Sequence, residues 1–375
     1  MNVHLPGVST RAPAAARRRD FPGALAAAMI IGAVLEFAVF RHADMLADRS
    51  TVAITYKGKR LEQGRSEQVV ILGPSTALAI DARRLQLSMH DRISMYNYAL
   101  PNLGTAEQYY FILKKYLQFN RRPDLVVLAL PPDSILNESA EQSEAFIEEI
   151  ERQRFRRFFG PLFLLTDVAP ATGRWSFVTQ AAATMLPSVN YRVFIKNATF
   201  APEQDEISDW EPVDSVRSLY RRNRRIVARF EATNGQLIYY GDRVVDASAI
   251  ARSMPARPDV NSKMATFIEK AIELADSSGI RMTMLFTPMC CERARALVQN
   301  GTWDLLLERE HAYEARFPKF RFVDNDLRPY EREYFGDAVH MNERGAVQFN
   351  EELMARLPAI LAPVASPGPQ PKALP

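Results

Sequence analysis

The chain has 375 residues, 47% of them apolar and 24% charged, with a formal net charge of +3 at pH 7. That balance excludes a disordered chain and makes no demand for nucleic acid or an acidic partner. Its two cysteines, Cys290 and Cys291, are adjacent, a poor disulfide geometry, and no C-x-x-C or His/Cys spacing occurs, so neither a disulfide scaffold nor a metal or other cofactor is expected.

Residues 1–20 read as a cytoplasmic basic tail holding Arg17, Arg18 and Arg19. The apolar run FPGALAAAMIIGAVLEFAVF that starts at Phe21 would span roughly 30 Å of hydrocarbon as a helix. Glu36 is its one charge, near the far end, where a carboxylate can reach the interface. With the arginines held inside, residues 21–41 are expected to be a transmembrane anchor in the inner (cytoplasmic) membrane, leaving the main domain on the periplasmic side. A cleaved signal peptide is the competing reading. It calls for small residues after the apolar core, where this chain has Arg41, His42 and Asp44. Residues 42–67 are expected to form a stalk.

The run Val69-Val70-Ile71-Leu72 followed by Gly73-Pro74-Ser75 predicts a buried strand entering a tight turn, with a helix over 77–87. Ser75 then falls at the carboxyl end of a strand, where open α/β sheets bind ligands. A turn or cap role alone is the other reading. Further on, the pattern predicts a strand at 93–99, a helix at 105–119, and a strand at 125–130 stopped by Pro131-Pro132. A helix at 262–277, a strand at 281–286 and a last strand at 320–323 follow. Short strands, apolar on both faces and separated by helices, predict an α/β fold with a parallel, doubly wound sheet.

Residues 137–260 are too many for a simple crossover and read as a largely helical insertion. Its basic segment, Arg217, Arg221, Arg222, Arg224 and Arg225 beside Tyr220, is either a solvated helix face or a grip for an anionic polymer or lipid headgroups. The tail at 362–375 is too rich in proline to pack.

Near the C-terminus stands Asp337-Ala338-Val339-His340-Met341-Asn342-Glu343-Arg344-Gly345. In a turn, Asp337 and His340 can touch, the carboxylate fixing the imidazole tautomer and supplying Ser75 with a general base. A bare capping turn is the alternative. Asn342 is placed to cap a helix over 343–357.

G-P-S-T after the first strand and D-x-x-H-x-N-x-x-G before the last helix together resemble the SGNH (GDSL-like) hydrolase superfamily. The resemblance spans residues 68–361 with the insertion set aside. It implies a flavodoxin-like sheet, with Ser75 as nucleophile, His340 as base and then acid, and Asp337 as orienting carboxylate. Its oxyanion hole would use Ser75 and Gly104, with Asn102 and Asn137 as substitute donors. A substitute is needed because the family's Gly-x-Asn-Asp block stands here as Leu130-Pro131-Pro132-Asp133. Losing one such donor costs about 3–4 kcal/mol of transition-state stabilisation.

An N-terminal anchor before such a domain is similar to the membrane-anchored partners of membrane-bound O-acyltransferases in cell-surface polymer acylation. The resemblance implies transfer of an acyl group, with acetyl expected, to a cell-surface polysaccharide or related glycan, or ester hydrolysis on it. It implies such an acyltransferase as partner, no nucleic acid and no cofactor. A plain envelope esterase or lipase, and a catalytically silent scaffold of a polysaccharide assembly or export complex, are the alternatives.

Overall fold

The structure, a computed structural model, describes residues 21–46, 49–101, 107–132, 215–253, 263–323 and 327–362. The basic tail, the first part of the insertion up to residue 214 and most of the proline-rich tail lie outside the described residues, as do Asn102, Gly104 and Asn137.

Seven short strands are described: β1 (Val69–Leu72), β2 (Met95–Asn97), β3 (Leu125–Leu130), β4 (Arg281–Phe286), β5 (Met289–Cys290), β6 (Phe320–Phe322) and β7 (Pro329–Tyr330). Five form one parallel sheet in the order β2-β1-β3-β4-β6, while β5 and β7 make a small parallel pair. Counted along the large sheet this is the 2-1-3-4-5 arrangement of doubly wound α/β proteins. The chain leaves β1 toward β2 on one side and returns to β3 on the other, so the order reverses between β1 and β3. Register there runs from Val69 opposite Leu125 to Leu72 opposite Leu128.

Side chains alternate along each strand, so the sheet has two apolar faces. Val70, Leu72, Val126, Leu128, Met282 and Met284 pack against α4 (Glu107–Phe119), α7 (Lys263–Ser277) and α9 (Thr302–Arg316). Val69, Ile71, Val127 and Ala129 face α3 (Ala82–Ser88), α5 (Val216–Thr233) and α10 (Glu343–Leu361).

Several boundaries differ from the sequence expectation. No single helix covers 77–87: a 3-10 turn at Ser75–Ala79 ends at Ile80, and α3 restarts with Asp81 as its N-cap, the carboxylate accepting from the Arg84 N–H. A short polar capping residue competes here with helix continuation. The expected stalk is not one. Within it α2 (Arg49–Leu61) buries Val52, Ala53, Ile54, Lys57 and Leu61, side chains at helical spacing that make it a layer of the domain. Nor is all of 137–260 a separate insertion. Ile226 and Phe230 of α5 and Ile250 of α6 (Ala247–Arg252) are core residues. On α5, Arg217, Arg221, Arg224 and Arg225 are exposed while Arg222 is buried, so the basic segment is mainly a solvated face.

The run expected as an anchor is helical, within α1 (Phe21–Leu46), and Leu25, Met29, Ile30, Ile31, Val34 and Phe37 are exposed on it. Among the described residues no helix is long and apolar enough to cross a membrane.

Candidate active site

The β1 strand must stop where it does. At Gly73 a Cβ would lie 2.3 Å from the Ala129 carbonyl oxygen and 2.4 Å from Ala77 Cβ, so only glycine lets β1 and the following turn approach β3 this closely. Pro74 then holds an extended backbone and Ser75 opens the 3-10 turn. Three buried amides fix that turn through its carbonyls. Asn97 Nδ2 donates to Ala77 and Ile80 at 2.8 and 3.0 Å, while Gln236 and Asn350 both donate to Ala79 at 2.8 Å. The hydroxyl of Ser75 is therefore presented from a fully tied backbone at the C-terminal edge of the sheet, next to the reversal of strand order, where such folds bind ligands.

The second half comes from the loop between β7 and α10. Asn342 caps α10, its Oδ1 accepting from the Gly345 N–H at 3.0 Å, and its Nδ2 donates to the carbonyls of Arg243 and Glu333. Phe335 and Met341 pair as a single antiparallel bridge, and Gly336 N–H donates to the His340 carbonyl at 3.0 Å. The loop between them is thus closed at its neck, and it carries Asp337 and His340.

Sequence positions 265 residues apart meet here: His340 Nε2 lies 2.7 Å from Ser75 Oγ, and its Nδ1 lies 2.8 Å from Asp337 Oδ2. Asp337 accepts four hydrogen bonds. Oδ1 takes the backbone N–H groups of Val339 at 2.8 Å and His340 at 2.6 Å, and Oδ2 takes the Tyr240 hydroxyl at 2.7 Å as well as the imidazole. Burial opposes its charge, but the hydrogen bonds and charge of His340 and the Tyr240 hydroxyl outweigh it and hold the carboxyl well below the usual carboxylate range. The same contact works in reverse on Tyr240, whose phenol is pushed above its ordinary value by burial and by the neighbouring carboxylate. The imidazole side chain is 19% exposed, so one edge stays reachable from outside.

Two aromatic residues complete the wall. Tyr239 packs edge-on against the His340 ring with centroids 5.3 Å apart, and the Arg49 guanidinium covers the Tyr239 ring at 4.3 Å. Tyr240 pairs with Asn342 as a parallel bridge, and Gly336 has no room for a Cβ because the Tyr240 side chain would be 2.2 Å away. Neither tyrosine was expected at the site from the sequence. The signal was the apolar, β-prone run Leu237-Ile238-Tyr239-Tyr240 ending in Gly241, hidden inside the stretch taken as an insertion.

The structure thus brings Ser75, His340 and Asp337 into one hydrogen-bonded line and adds Tyr240 behind it. The expected oxyanion donors Asn102 and Gly104, and Asn137, lie outside the described residues. Among the described residues nothing accepts from the Ser75 N–H, which leaves that donor at the mouth of the turn. Pro131 and Pro132 close β3 with no N–H to offer. Chemically, the line can take a proton from Ser75 Oγ and return it to a leaving group, the arrangement of nucleophilic acyl transfer. No family model, no curated protein and no solved structure matches the chain.

Proposed function

We propose that this chain is a serine-dependent enzyme of the SGNH (GDSL-like) type, with a flavodoxin-like domain, that moves acyl groups through an ester on Ser75. The observation that carries the reading is the 2.7 Å contact between Ser75 Oγ and His340 Nε2, backed by Asp337 at 2.8 Å from Nδ1. Ser75 Oγ attacks the acyl carbonyl while His340 Nε2 takes its proton. The tetrahedral adduct collapses as the same nitrogen returns the proton to the leaving group. An incoming hydroxyl then gives its proton to Nε2, attacks the acyl-serine and carries the acyl group away, which frees Ser75.

The preferred acceptor is a sugar hydroxyl of a cell-surface polysaccharide or related glycan, and acetyl is the preferred group; transfer to water by the same steps is ester hydrolysis. The proposed anchor in the inner membrane rests on the sequence of the apolar run at 21–41, several side chains of α1 lying outside the described residues. Its exposed Leu25, Met29, Ile30, Ile31 and Val34 have lipid as a natural solvent, and the arginines before it favour a periplasmic domain. A membrane-bound O-acyltransferase is then the fitting partner to load Ser75.

A silent scaffold is the second reading, favoured by the two prolines where an oxyanion donor would be expected. The test is labelling of the full chain, purified in detergent, with a fluorophosphonate probe. Wild type is expected to label, Ser75→Ala to be blank and His340→Ala nearly so. A wild-type protein that resists the probe moves the chain to the scaffold reading, and brisk hydrolysis of p-nitrophenyl esters moves it to a plain esterase.

A further inference from the structure

We propose that Cys290, Cys291, Glu292 and Glu331 form a binding site for one thiophilic divalent cation of the zinc class. Adjacent side chains on a strand point to opposite sides. Here β5 ends at Cys290, the N-cap of α8 (Cys291–Gln299), with an extended backbone at φ −59° and ψ 137°, and the next residue is already helical. The switch from strand to helix swings both thiols to one side. They converge on a single oxygen: Cys290 Sγ and Cys291 Sγ donate to Glu292 Oε2 at 2.9 and 3.1 Å. A fourth donor arrives from another element, with Glu331 Oε2 3.6 Å from Cys291 Sγ.

The ligand atoms of Cys290, Cys291 and Glu292 all lie within 4.8 Å of one another. A tetrahedral site with metal–sulfur bonds of about 2.3 Å and metal–oxygen bonds of about 2.0 Å needs donors roughly 3.3–3.8 Å apart, so shifts of about an ångström assemble these three, and Glu331, in reach of Cys291 alone, must swing further in to complete the set. Charge also favours the cation. Two thiolates and two carboxylates around a divalent ion leave the site net negative, and two features offset this: the Arg295 guanidinium, 3.7 Å from Cys291 Sγ, and the positive end of α8. Both cysteines are buried, which disfavours loose, exchangeable binding. The absence of C-x-x-C spacing made a metal unexpected from sequence; the backbone switch supplies the convergence that spacing normally provides.

The location gives the site a purpose. Glu331 directly follows β7, which pairs with β5, and the chain runs from it through a 3-10 turn at Arg332–Tyr334 into the loop holding Asp337 and His340. A bound cation would pin that loop to the junction of β5 and α8. This claim stands apart from the acyl-transfer reading.

Cobalt(II) titration of the full, reduced chain in detergent tests it. The chain has only two cysteines, so any thiolate-to-cobalt charge-transfer absorption reports on them. The expected result is a near-ultraviolet band saturating at about one equivalent, bleached by zinc, lost in the Cys290→Ser/Cys291→Ser double variant and weakened in Glu292→Gln. Glu331→Gln should keep the band and loosen binding by about tenfold or more. The proposal is overturned if the reduced wild type gives no band, if the band saturates at about half an equivalent, or if the cysteines are isolated as a vicinal disulfide that takes up no metal after reduction. Unchanged affinity in Glu331→Gln overturns the link to the loop.

Discussion

Replacing Asp337 by Asn tests the proton path most directly, because the structure dictates how the amide must sit. Oδ1 of Asp337 faces two backbone donors, Val339 N–H at 2.8 Å and His340 N–H at 2.6 Å. An Asn at this position must turn its carbonyl oxygen to those donors; the opposite flip would set an NH2 against two N–H groups and strand them, at about 1–3 kcal/mol each. The amide nitrogen then faces His340 Nδ1, now 2.8 Å from the carboxylate oxygen. Facing a donor, Nδ1 becomes an acceptor and the ring proton moves to Nε2. That nitrogen, 2.7 Å from Ser75 Oγ, can no longer accept the serine proton. Enforcing the wrong tautomer costs on the order of 10⁴-fold in serine proteases, about 5 kcal/mol of barrier. Second-order rate constants for fluorophosphonate labelling of the full chain should therefore fall by roughly 10³- to 10⁴-fold in Asp337→Asn, with circular dichroism unchanged. A variant that labels within tenfold of wild type while Ser75→Ala stays blank would remove Asp337 from the proton path.

The remaining substitutions separate positioning from packing. Tyr240→Phe deletes one hydrogen bond to Asp337 Oδ2 but leaves the two backbone donors on Oδ1, so labelling should slow by only roughly 5- to 30-fold with little change in melting temperature. A loss as large as that of Asp337→Asn would show that the backbone donors do not suffice. Gly73→Ala forces a Cβ to within 2.3 Å of a β3 carbonyl and should destabilise by about 3 kcal/mol or more, read as a drop of roughly 10 °C in Tm; a wild-type melt refutes the close-approach argument. Asn97→Ala strands the Ile80 carbonyl and the Ala99 N–H and removes one of the two donors on the Ala77 carbonyl, which keeps the Ile80 N–H, so both stability and labelling should fall, by about 3 kcal/mol in denaturant unfolding.

The residues that were legible in sequence are those whose signal is local. β3 and β4 fall on their expected limits, 125–130 and 281–286, because β3 is a six-residue apolar run, β4 is apolar but for Arg281 and Thr283, and each is closed by proline within two residues. Ser75, Asp337 and His340 stood out for the same reason: Gly-Pro before the serine marks a strand end, and three-residue spacing lets an acid and an imidazole share a turn. What was not legible depends on tertiary partners. Tyr240 looks like any buried aromatic until the loop before α10 brings Asp337 to its hydroxyl. The helix break at 80–81 depends on Asn97, Gln236 and Asn350 competing for turn carbonyls from three other parts of the chain. The 42–67 segment read as a stalk from its place between the apolar run and the first strand, whereas α2 within it is packed into the core and even its Lys57 is wholly buried.

Lys57 also links the two segments that flank the site, and its chemistry has a pH signature. Its Nζ donates to the carbonyls of Ala99 and Gly235 at 2.7 and 2.8 Å, from a position 5.1 Å from the Phe230 ring centroid. Among the described residues no carboxylate bonds to it, and burial drives the ammonium well below its ordinary value. A neutral amine keeps two N–H groups, one for each carbonyl, so deprotonation leaves both bonds intact. The unfolded chain holds this proton up to about pH 10.4 and the folded chain releases it earlier. Between those two values the unfolded state binds more protons, and stability rises with pH by at most about 1.4 kcal/mol per unit from this group. Lys57→Met has no proton to release and leaves two buried carbonyls unpaired, so it should be less stable at every pH. The gap between wild type and Lys57→Met, from denaturant unfolding at pH 7.5, 8.5 and 9.5, should widen as pH rises, since the other titrating groups cancel. A gap that stays constant would mean that the lysine folds into the core with its charge intact.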